Sequence, residues 1–234
     1  MNNRIVLRLN YILGAVTILC VICYKIVGPI WIKGLASAFF LLTGLINLVF
    51  ALKSDVENKA FSIIIFTGLF FCFVADIVLE LVFIAGAAIF AAGHICFFVA
   101  YCKWMKLLLR DIFISLGIFV IAVCILVFVP FFDYGSGTMM AVAVIYSLFL
   151  SFLLGKAISN YRSERSGVNL ILLIGSALFF FSDTMLLIDT FTAAPKLFLY
   201  LCDFIYYPSA LFLAHSIYVQ ADSLSEKQPL LKNR

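Results

Sequence analysis

The sequence predicts an all-α integral membrane protein with about eight transmembrane helices. Hydrophobic residues make up 65% of its 234 residues, and charged residues make up only 12%. Mean hydropathy is +1.19, whereas soluble domains are roughly half apolar and a quarter charged. A chain of this length has too little interior to bury so much apolar surface in water. Lipid is therefore the expected solvent.

Eight apolar segments follow one another along the chain, each close to the roughly 20 residues that a helix needs to cross the hydrocarbon core. Charged residues, glycine or proline separate most of them. The segments are 7–23, 30–52, 61–81, 84–102, 112–130, 138–157, 168–188 and 197–219. We therefore expect one transmembrane domain at 1–220 and a short disordered cytosolic tail at 221–234.

The distribution of basic residues supports this count and gives it a direction. With eight spans, thirteen of the 16 Lys and Arg residues, Lys156 among them, fall on the side that holds both termini. The opposite side has only Lys25, Lys33 and Lys196. The positive-inside rule then places both termini in the cytosol. Adding or deleting one span would destroy the alternation.

The two halves of the chain share a short pattern. Gly68 precedes Asp76 by eight residues, and Gly175 precedes Asp183 by eight. A leucine follows each aspartate three positions later, and the offset between the segments is 107 throughout. The pattern predicts two four-helix repeats in parallel orientation, an arrangement known in membrane folds.

Several classes of catalytic site are disfavoured. No Ser-x-x-Lys, Gly-x-Ser-x-Gly, His-Glu-x-x-His or phosphate-loop motif is present, which argues against acyl-enzyme and zinc chemistry. Nearly all of the seven cysteines lie inside apolar segments, where they are typical of packed free thiols. We expect no metal site, no disulfide framework and no cofactor.

Ionisable side chains inside a span are costly and usually functional. Asp76 and Asp183 lie a turn or more inside their spans, and His94 lies near the middle of the fourth. Glu80 is four residues after Asp76 and shares its helix face, although it could simply reach headgroup water. Lys33, early in the second span, could reach the interface or pair with a carboxylate or a lipid phosphate. His94 could also be a packing residue.

These side chains, with several tyrosines, predict a polar cavity among the third, fourth, seventh and eighth spans. Burial favours the neutral form of a carboxyl group. One aspartate could then act as a general acid, while the other, if ionised, orients water as a general base. Asp76 and Asp183 are the catalytic candidates, and His94 is the third.

The same residues resemble the YhhN family of eight-span membrane proteins, which includes the animal lysoplasmalogenases. The resemblance covers roughly residues 30–216, and it lies in joint spacing rather than in any single motif. Its residues are Lys33, Ala75-Asp76, Leu79, Gly93-His94, Tyr101, Tyr146, Gly175, Ser182-Asp183 and Tyr206-Tyr207. The chain departs from the family pattern at Ala75, where glycine is usual, and at Gly34, where proline or another residue commonly follows the lysine. After Tyr206-Tyr207 the family tends to continue with x-Ala-Gln, whereas this chain reads Pro208-Ser209-Ala210 and lacks the glutamine.

The resemblance implies hydrolysis of the vinyl ether bond of lysoplasmalogens, which releases a fatty aldehyde and glycerophosphocholine or glycerophosphoethanolamine. Asp76 and Asp183 would be acid and base, in either order, and Lys33 would contact the phosphate. The expected partners are the lysophospholipid and membrane lipids, with no nucleic acid. The remaining candidate substrate contacts or orienting groups are Glu80, Tyr101, Tyr146, Ser182, Tyr206 and Tyr207.

Two other classes of function stay open at this point. Buried carboxylates and parallel repeats also suit a proton-coupled transporter, and a lipid-binding or lipid-sensing protein would need no turnover. The tail residues Glu226, Leu230 and Leu231 match an acidic dileucine sorting pattern that trafficking adaptors could read. We expect the endoplasmic reticulum membrane, or an endolysosomal membrane if that signal is used.

Overall fold

The structure is a computed structural model that describes residues 3–54 and 58–232, with side chains through Ser223. Within these ranges the chain forms eight helices and no strand. They are α1 Asn3–Val27, α2 Ile30–Lys53, α3 Lys59–Leu81, α4 Phe83–Trp104, α5 Leu109–Phe128, α6 Gly137–Ser163, α7 Gly167–Phe191 and α8 Leu197–Lys232.

Each helix is long and apolar enough to cross a membrane, α8 over its segment Leu197–Ser223. This confirms the predicted class, an all-α protein with eight spans. The helices run past the predicted segments at several ends, most of all in α8, which continues to Lys232, and next in α6, which continues to Ser163. Polar residues of the last turn can extend beyond the hydrocarbon, so an apolar pattern alone underestimates helix length.

The ends of the helices follow local sequence. Gly28 has a φ of +92°, a left-handed conformation that glycine adopts without steric cost, and it separates α1 from α2. Ser136 and Ser166 cap α6 and α7, each accepting a hydrogen bond from the backbone N–H three residues on, as N-cap serines do. Only Val82 lies between α3 and α4.

The packing of the helices repeats between the two halves. α3 packs most extensively against α4, and α7 does so against α8, while α1 pairs with α2 and α5 with α6. Apart from contacts of α8 with α1 and α3, which have no counterpart, the halves meet where α2 packs against α8 and where α4 packs against α6. If each helix of the first half is matched with the helix four places later, the α2–α8 pair corresponds to the α4–α6 pair. The pattern favours a duplication, which stays a prediction, as does the cytosolic location of the termini.

Two charges near the ends of α5 and α6 lie inside the bundle. Asp111 of α5 is 2% exposed and Lys156 of α6 is 1% exposed, so Lys156, counted with the basic residues on the side of both termini, belongs to the helix packing rather than to a loop. Lys156 Nζ lies 2.6 Å from Asp111 Oδ2, and the Ser159 hydroxyl also donates to this carboxylate. Because a buried charge needs a partner, this ion pair fastens α5 to α6.

α5 and the end of α8 differ from the rest of the bundle. Among the described helices, α5 packs against α6 alone, so much of its surface is left for lipid and a groove separates it from α7. α8 continues past residue 221 to Lys232, and the division into a domain and a tail stays a prediction. The sorting pattern of Glu226, Leu230 and Leu231 lies beyond the described side chains.

Candidate active site

Asp76 lies in α3 and is held by hydroxyl groups from two other helices. Its side chain is buried, with 2% of the residue exposed. Ser37 of α2 donates a hydrogen bond to Asp76 Oδ2 at 2.5 Å, and Tyr206 of α8 donates to the same oxygen at 2.8 Å. Tyr207 lies 3.3 Å from the Ser37 hydroxyl. Asp76 is therefore fixed in orientation by α2 and α8 together.

Asp183 lies in α7 and is held by the other half of the bundle. It is 7% exposed, and Tyr146 of α6 donates to its Oδ2 at 2.6 Å. His94 Nε2 of α4 lies 3.7 Å from the same oxygen, too far for a direct hydrogen bond. Oδ2 of each aspartate thus accepts a hydrogen bond from a tyrosine hydroxyl.

His94 is fully buried among aromatic rings. Its ring centroid lies 4.6 Å from that of Phe179 and 5.6 Å from that of Tyr146. Neither ring nitrogen has a hydrogen-bond partner among the described residues. Most buried polar groups are paired, so the surroundings of this imidazole are unusual. Whether His94 has a catalytic role or packs the core stays a prediction.

The surroundings of the two aspartates meet at one aromatic ring, that of Phe179. Phe179 packs against His94 on one side and lies 5.4 Å, centroid to centroid, from the Tyr206 ring on the other. Tyr206 binds Asp76 and His94 lies beside Asp183, so the two aspartates have neighbouring surroundings, and the catalytic roles of Asp76, Asp183 and His94 stay predictions.

Cavities reach this site from the side of Asp183. One of about 130 Å³ lies between α5, α6 and α7, at the groove where α5 leaves α7 uncovered. A smaller one of about 40 Å³ lies between α3, α4, α6 and α7. Asp183 and Tyr146 line both cavities, and the other lining residues are almost all apolar. An apolar chain can therefore approach Asp183 from the membrane.

Lys33 and Glu80 form an ion pair at the end of the bundle beside Asp76. Lys33 Nζ lies 2.5 Å from Glu80 Oε1; the lysine is 7% exposed, and 37% of the glutamate side chain is exposed. The Lys33 carbonyl accepts a hydrogen bond from Tyr207 at 3.3 Å and lies 3.1 Å from the Ser37 hydroxyl, whose proton goes to Asp76. This ion pair is thus connected to the hydrogen bonds that hold Asp76.

Two further candidates make contacts away from the aspartates. The Tyr101 hydroxyl lies 2.8 Å from the Ser176 hydroxyl, about two turns from Asp183 toward the start of α7. The Ser182 hydroxyl donates to the Cys202 carbonyl at 3.1 Å, which joins α7 to α8. Neither residue is brought to a carboxyl group of the site, and their roles as substrate contacts stay predictions.

The sequence analysis missed Ser37, the strongest contact of Asp76. A single serine in an apolar helix is usually a packing residue, which is why its hydroxyl attracted no attention. The signal was present, because Ser37 follows Lys33 by four residues and shares its helix face. Phe179, which lies between the surroundings of the two aspartates, had no distinguishing signal among 26 phenylalanines.

The arrangement suits proton transfer. Two buried carboxyl groups stand in one apolar site, and among the described residues the protein donates only to Oδ2 of each. The Oδ1 atoms are left for a substrate or a water. No group of three or more His, Cys, Asp or Glu side chains within the described ranges could hold a metal ion. Acid–base catalysis by carboxyl groups is the chemistry that these residues can perform.

Comparison with known proteins identifies the family of this chain. The sequence model of the YhhN family matches residues 34–217, a range that runs from α2 to α8 and contains both aspartates, although Lys33 lies just outside it. Searches of curated proteins and of solved structures gave no significant match. The match covers well over half of the chain, in agreement with the resemblance seen in the sequence. The chain therefore belongs to the YhhN family.

Proposed function

We propose that this protein is an intramembrane lysoplasmalogenase. It hydrolyses the vinyl ether bond of lysoplasmenylcholine or lysoplasmenylethanolamine to a fatty aldehyde and the glycerophosphodiester. The observation that carries the proposal is the pair of buried aspartates, Asp76 and Asp183, whose surroundings meet at the Phe179 ring. Family membership is consistent with a hydrolase. A membrane-facing cavity at Asp183 suits a substrate that has a single hydrocarbon chain.

The reaction needs an acid, a base and one water. The acid transfers its proton to the alkene carbon farther from oxygen, and the π electrons of the double bond form the new C–H bond. The oxocarbenium ion that results is attacked by water, while the base accepts a proton from that water. The hemiacetal then collapses: its hydroxyl proton is lost, the bond to the glycerol oxygen breaks, and that oxygen is protonated. One water is consumed, and no electrons are exchanged with a cofactor.

The asymmetry of the site suggests which aspartate does what. The carbon that accepts the proton is the one attached to the hydrocarbon chain, and Asp183 lines the cavity suited to that chain. Asp183 is therefore assigned as the general acid. Asp76 lies beside Lys33, on the side proposed for the headgroup and the oxocarbenium carbon, so it stabilises positive charge there and accepts the proton of water. The unpaired His94 orients that water.

Replacement of either carboxyl group tests the proposal. Purified Asp76→Asn and Asp183→Asn proteins should release aldehyde from lysoplasmenylcholine at least about a thousandfold more slowly than the wild type, since acid–base groups contribute factors of this order. Asp189→Asn, a change of the same kind later in α7, should keep normal turnover. Size-exclusion profiles should match for all four proteins.

Three outcomes would overturn the assignment. Near-normal turnover in either variant contradicts a mechanism with two carboxyl groups. Fatty acid released from an ordinary lysophospholipid would make the protein a lysophospholipase. Neither product from the wild-type protein would favour a transporter or a lipid-binding protein without turnover.

The location of the protein in the cell is part of this proposal. A multi-pass protein with its termini in the cytosol suits the endoplasmic reticulum membrane, where lysophospholipids are available on either leaflet. Sorting through Glu226, Leu230 and Leu231 would move it to endolysosomal membranes. Fluorescence imaging of a Leu230→Ala/Leu231→Ala variant beside the wild type distinguishes the two locations.

A further inference from the structure

A groove runs along the outside of the bundle where α1 meets α8, and its volume is about 360 Å³. It shares no lining residue with the two cavities at Asp183. Half of it belongs to α1, which precedes the range matched by the family model. The residues that line it include Asn10, Gly14 and Ala15 of α1 and Pro208, Phe212 and His215 of α8. The groove is therefore a separate feature of this chain, which family membership does not explain.

We propose that this groove binds a sterol, a rigid lipid whose polar part is a single hydroxyl group. The hydroxyl lies at Asn10 and His215, and the ring system extends along the groove toward Ile18 and Pro208. The site is independent of the proposed function, because it uses neither aspartate.

The pairing of Asn10 with His215 carries the first step. Asn10 is 7% exposed, and its Nδ2 lies 3.2 Å from His215 Nδ1. When this amide donates to the ring, Asn10 Oδ1 is left as a free acceptor, buried and without a partner among the described residues. The neutral ring then carries its proton on Nε2, which is a free donor.

A hydroxyl group is the match for this pair, because it donates and accepts at once. If the amide and the ring exchange roles, the pair still has one free donor and one free acceptor, so a hydroxyl again completes it. A ketone, an ether or a phosphate diester oxygen only accepts. Any of these would leave a buried acceptor of the protein unpaired, which is costly.

The depth of the pair carries the second step. Asn10 lies two residues after the exposed Arg8, whose side chain can reach the lipid headgroups. The pair is therefore just inside the headgroup region, and the groove continues from it toward the middle of the bilayer. Farther along the groove, the Thr43 hydroxyl donates to the Phe39 carbonyl of its own helix. The polar contacts are thus confined to one end, as they are in a sterol.

The shape of the groove carries the third step. The lined stretch 10–18 of α1 is about 12 Å long, so a groove of about 360 Å³ is broad for its length. Gly14 and Ala15 make the α1 wall flat, and Pro208 and Phe212 place rings on the α8 wall. A rigid, flat ligand loses little conformational freedom against such walls, whereas a flexible chain loses the freedom of each bond that is fixed.

A second groove shows what is special about the first. It lies between α4 and α6, and its volume is about 340 Å³. Its lining is apolar apart from Tyr146, whose hydroxyl is donated to Asp183. A groove of nearly the same size thus offers no free polar pair, and it provides a matched control.

Binding of sterol analogues to the purified full-length protein tests the site. We would measure, by competition with radiolabelled cholesterol, the affinities of cholesterol, its 3-keto analogue, its methyl ether and hexadecanol. The ketone and the ether cannot donate, so each should bind at least about tenfold more weakly than cholesterol. Hexadecanol has the hydroxyl without the rings and should also bind at least about tenfold more weakly.

Substitutions should locate the site. Asn10→Leu should lower the affinity for cholesterol about tenfold and remove the difference between cholesterol and its methyl ether. Ala15→Phe places a ring in the groove and should abolish sterol binding. Ala88→Phe, which fills the second groove, and Asp183→Asn should bind cholesterol as the wild type does. Cholesterol should raise the melting temperature of the wild type and of Ala88→Phe, but not that of Ala15→Phe.

Four results would overturn the sterol site. Equal binding of cholesterol and its methyl ether to the wild type would show that the hydroxyl is not recognised. Hexadecanol that binds as tightly as cholesterol would make the groove a site for flexible alcohols. Cholesterol binding that survives Ala15→Phe would place the sterol elsewhere. A dimer that Ala15→Phe converts to a monomer, with no sterol bound by the wild type, would mean that a second copy covers the groove.

The sterol site and the proposed function fail separately. Sterol binding is measured without turnover, and it should persist in the Asp183→Asn protein. If the expected binding pattern is found but no aldehyde is released from vinyl ether lipids, the sterol site stands and the lysoplasmalogenase proposal fails.

Discussion

The surroundings of Asp76 and those of Asp183 are built alike but packed differently. Each aspartate sits late in the third helix of its half and receives a tyrosine hydroxyl on Oδ2. Asp76 has a second donor, Ser37, and an ion pair beside it. Asp183 instead faces an unpaired histidine and a cavity of about 130 Å³.

Under the proposed function, this difference would give the two carboxyl groups separate tasks. The crowded surroundings would hold Asp76 in one orientation, as a stabilising base requires, and the open surroundings of Asp183 would leave space for a substrate beside an acid. In other enzymes with two catalytic carboxyl groups, environment rather than residue type separates their roles.

The largest effect on kcat is expected from replacing the tyrosines that donate to the two aspartates. Tyr146 is the one donor to Asp183 within the described structure, so Tyr146→Phe should lower kcat for aldehyde release about a hundredfold. Tyr206→Phe should cost only about tenfold, because Ser37 still holds Asp76. Tyr218→Phe, at the opposite end of the bundle, should leave kcat unchanged. Equal losses at Tyr146 and Tyr206 would mean that the two surroundings do not differ in function.

A smaller effect is expected from filling the cavity. Ala122 of α5 lines the cavity of about 130 Å³, and Ala122→Phe should lower kcat/KM about tenfold for long alkenyl chains and less for short ones, because lost apolar burial scales with chain length. Ala15→Phe fills a separate groove between α1 and α8 and serves as the matched control. If both variants act equally on every chain length, the cavity is not the chain site.

The smallest effect concerns stability and the equivalence of the halves. A Cβ at Gly68 would lie 2.4 Å from Phe97 Cε1, and one at Gly175 would lie 2.8 Å from Leu213 Cδ2. The rigid Phe97 ring can yield less than a leucine methyl group. Gly68→Ala should therefore destabilise by about 2 kcal/mol and Gly175→Ala by about 1 kcal/mol, measured by thermal unfolding in detergent. The reverse order would show that the first half tolerates more repacking than its contacts indicate.

The sequence was enough to predict the eight spans and the burial of Asp76 and Asp183. Spans follow from length and hydropathy, which a bilayer enforces on every helix. Asp76 and Asp183 are conspicuous because ionisable groups are rare in such segments. The pairing of Lys33 with Glu80 was among the alternatives for Lys33, since both lie near the same end of the bundle.

Contacts between helices were harder to predict. Asp111 and Lys156 lie in different helices near a loop, where charges usually face water, so nothing in the sequence indicated that they are buried together. Ser37 could not be distinguished from other small residues until α2 was placed against α3. The cavity beside Asp183 depends on α5 packing against α6 alone, which no local pattern encodes.

The one-residue connection at Val82 has a consequence for biosynthesis. α3 and α4 carry Asp76 and His94, and a Cβ at Gly86 would lie 2.3 Å from the Leu79 Cα, so the last turn of α3 touches the first turn of α4. Because one residue connects them, we expect the two helices to enter the bilayer together as a helical hairpin. Asp76 would then receive its hydrogen-bond partners only when α2 and α8 pack against this hairpin.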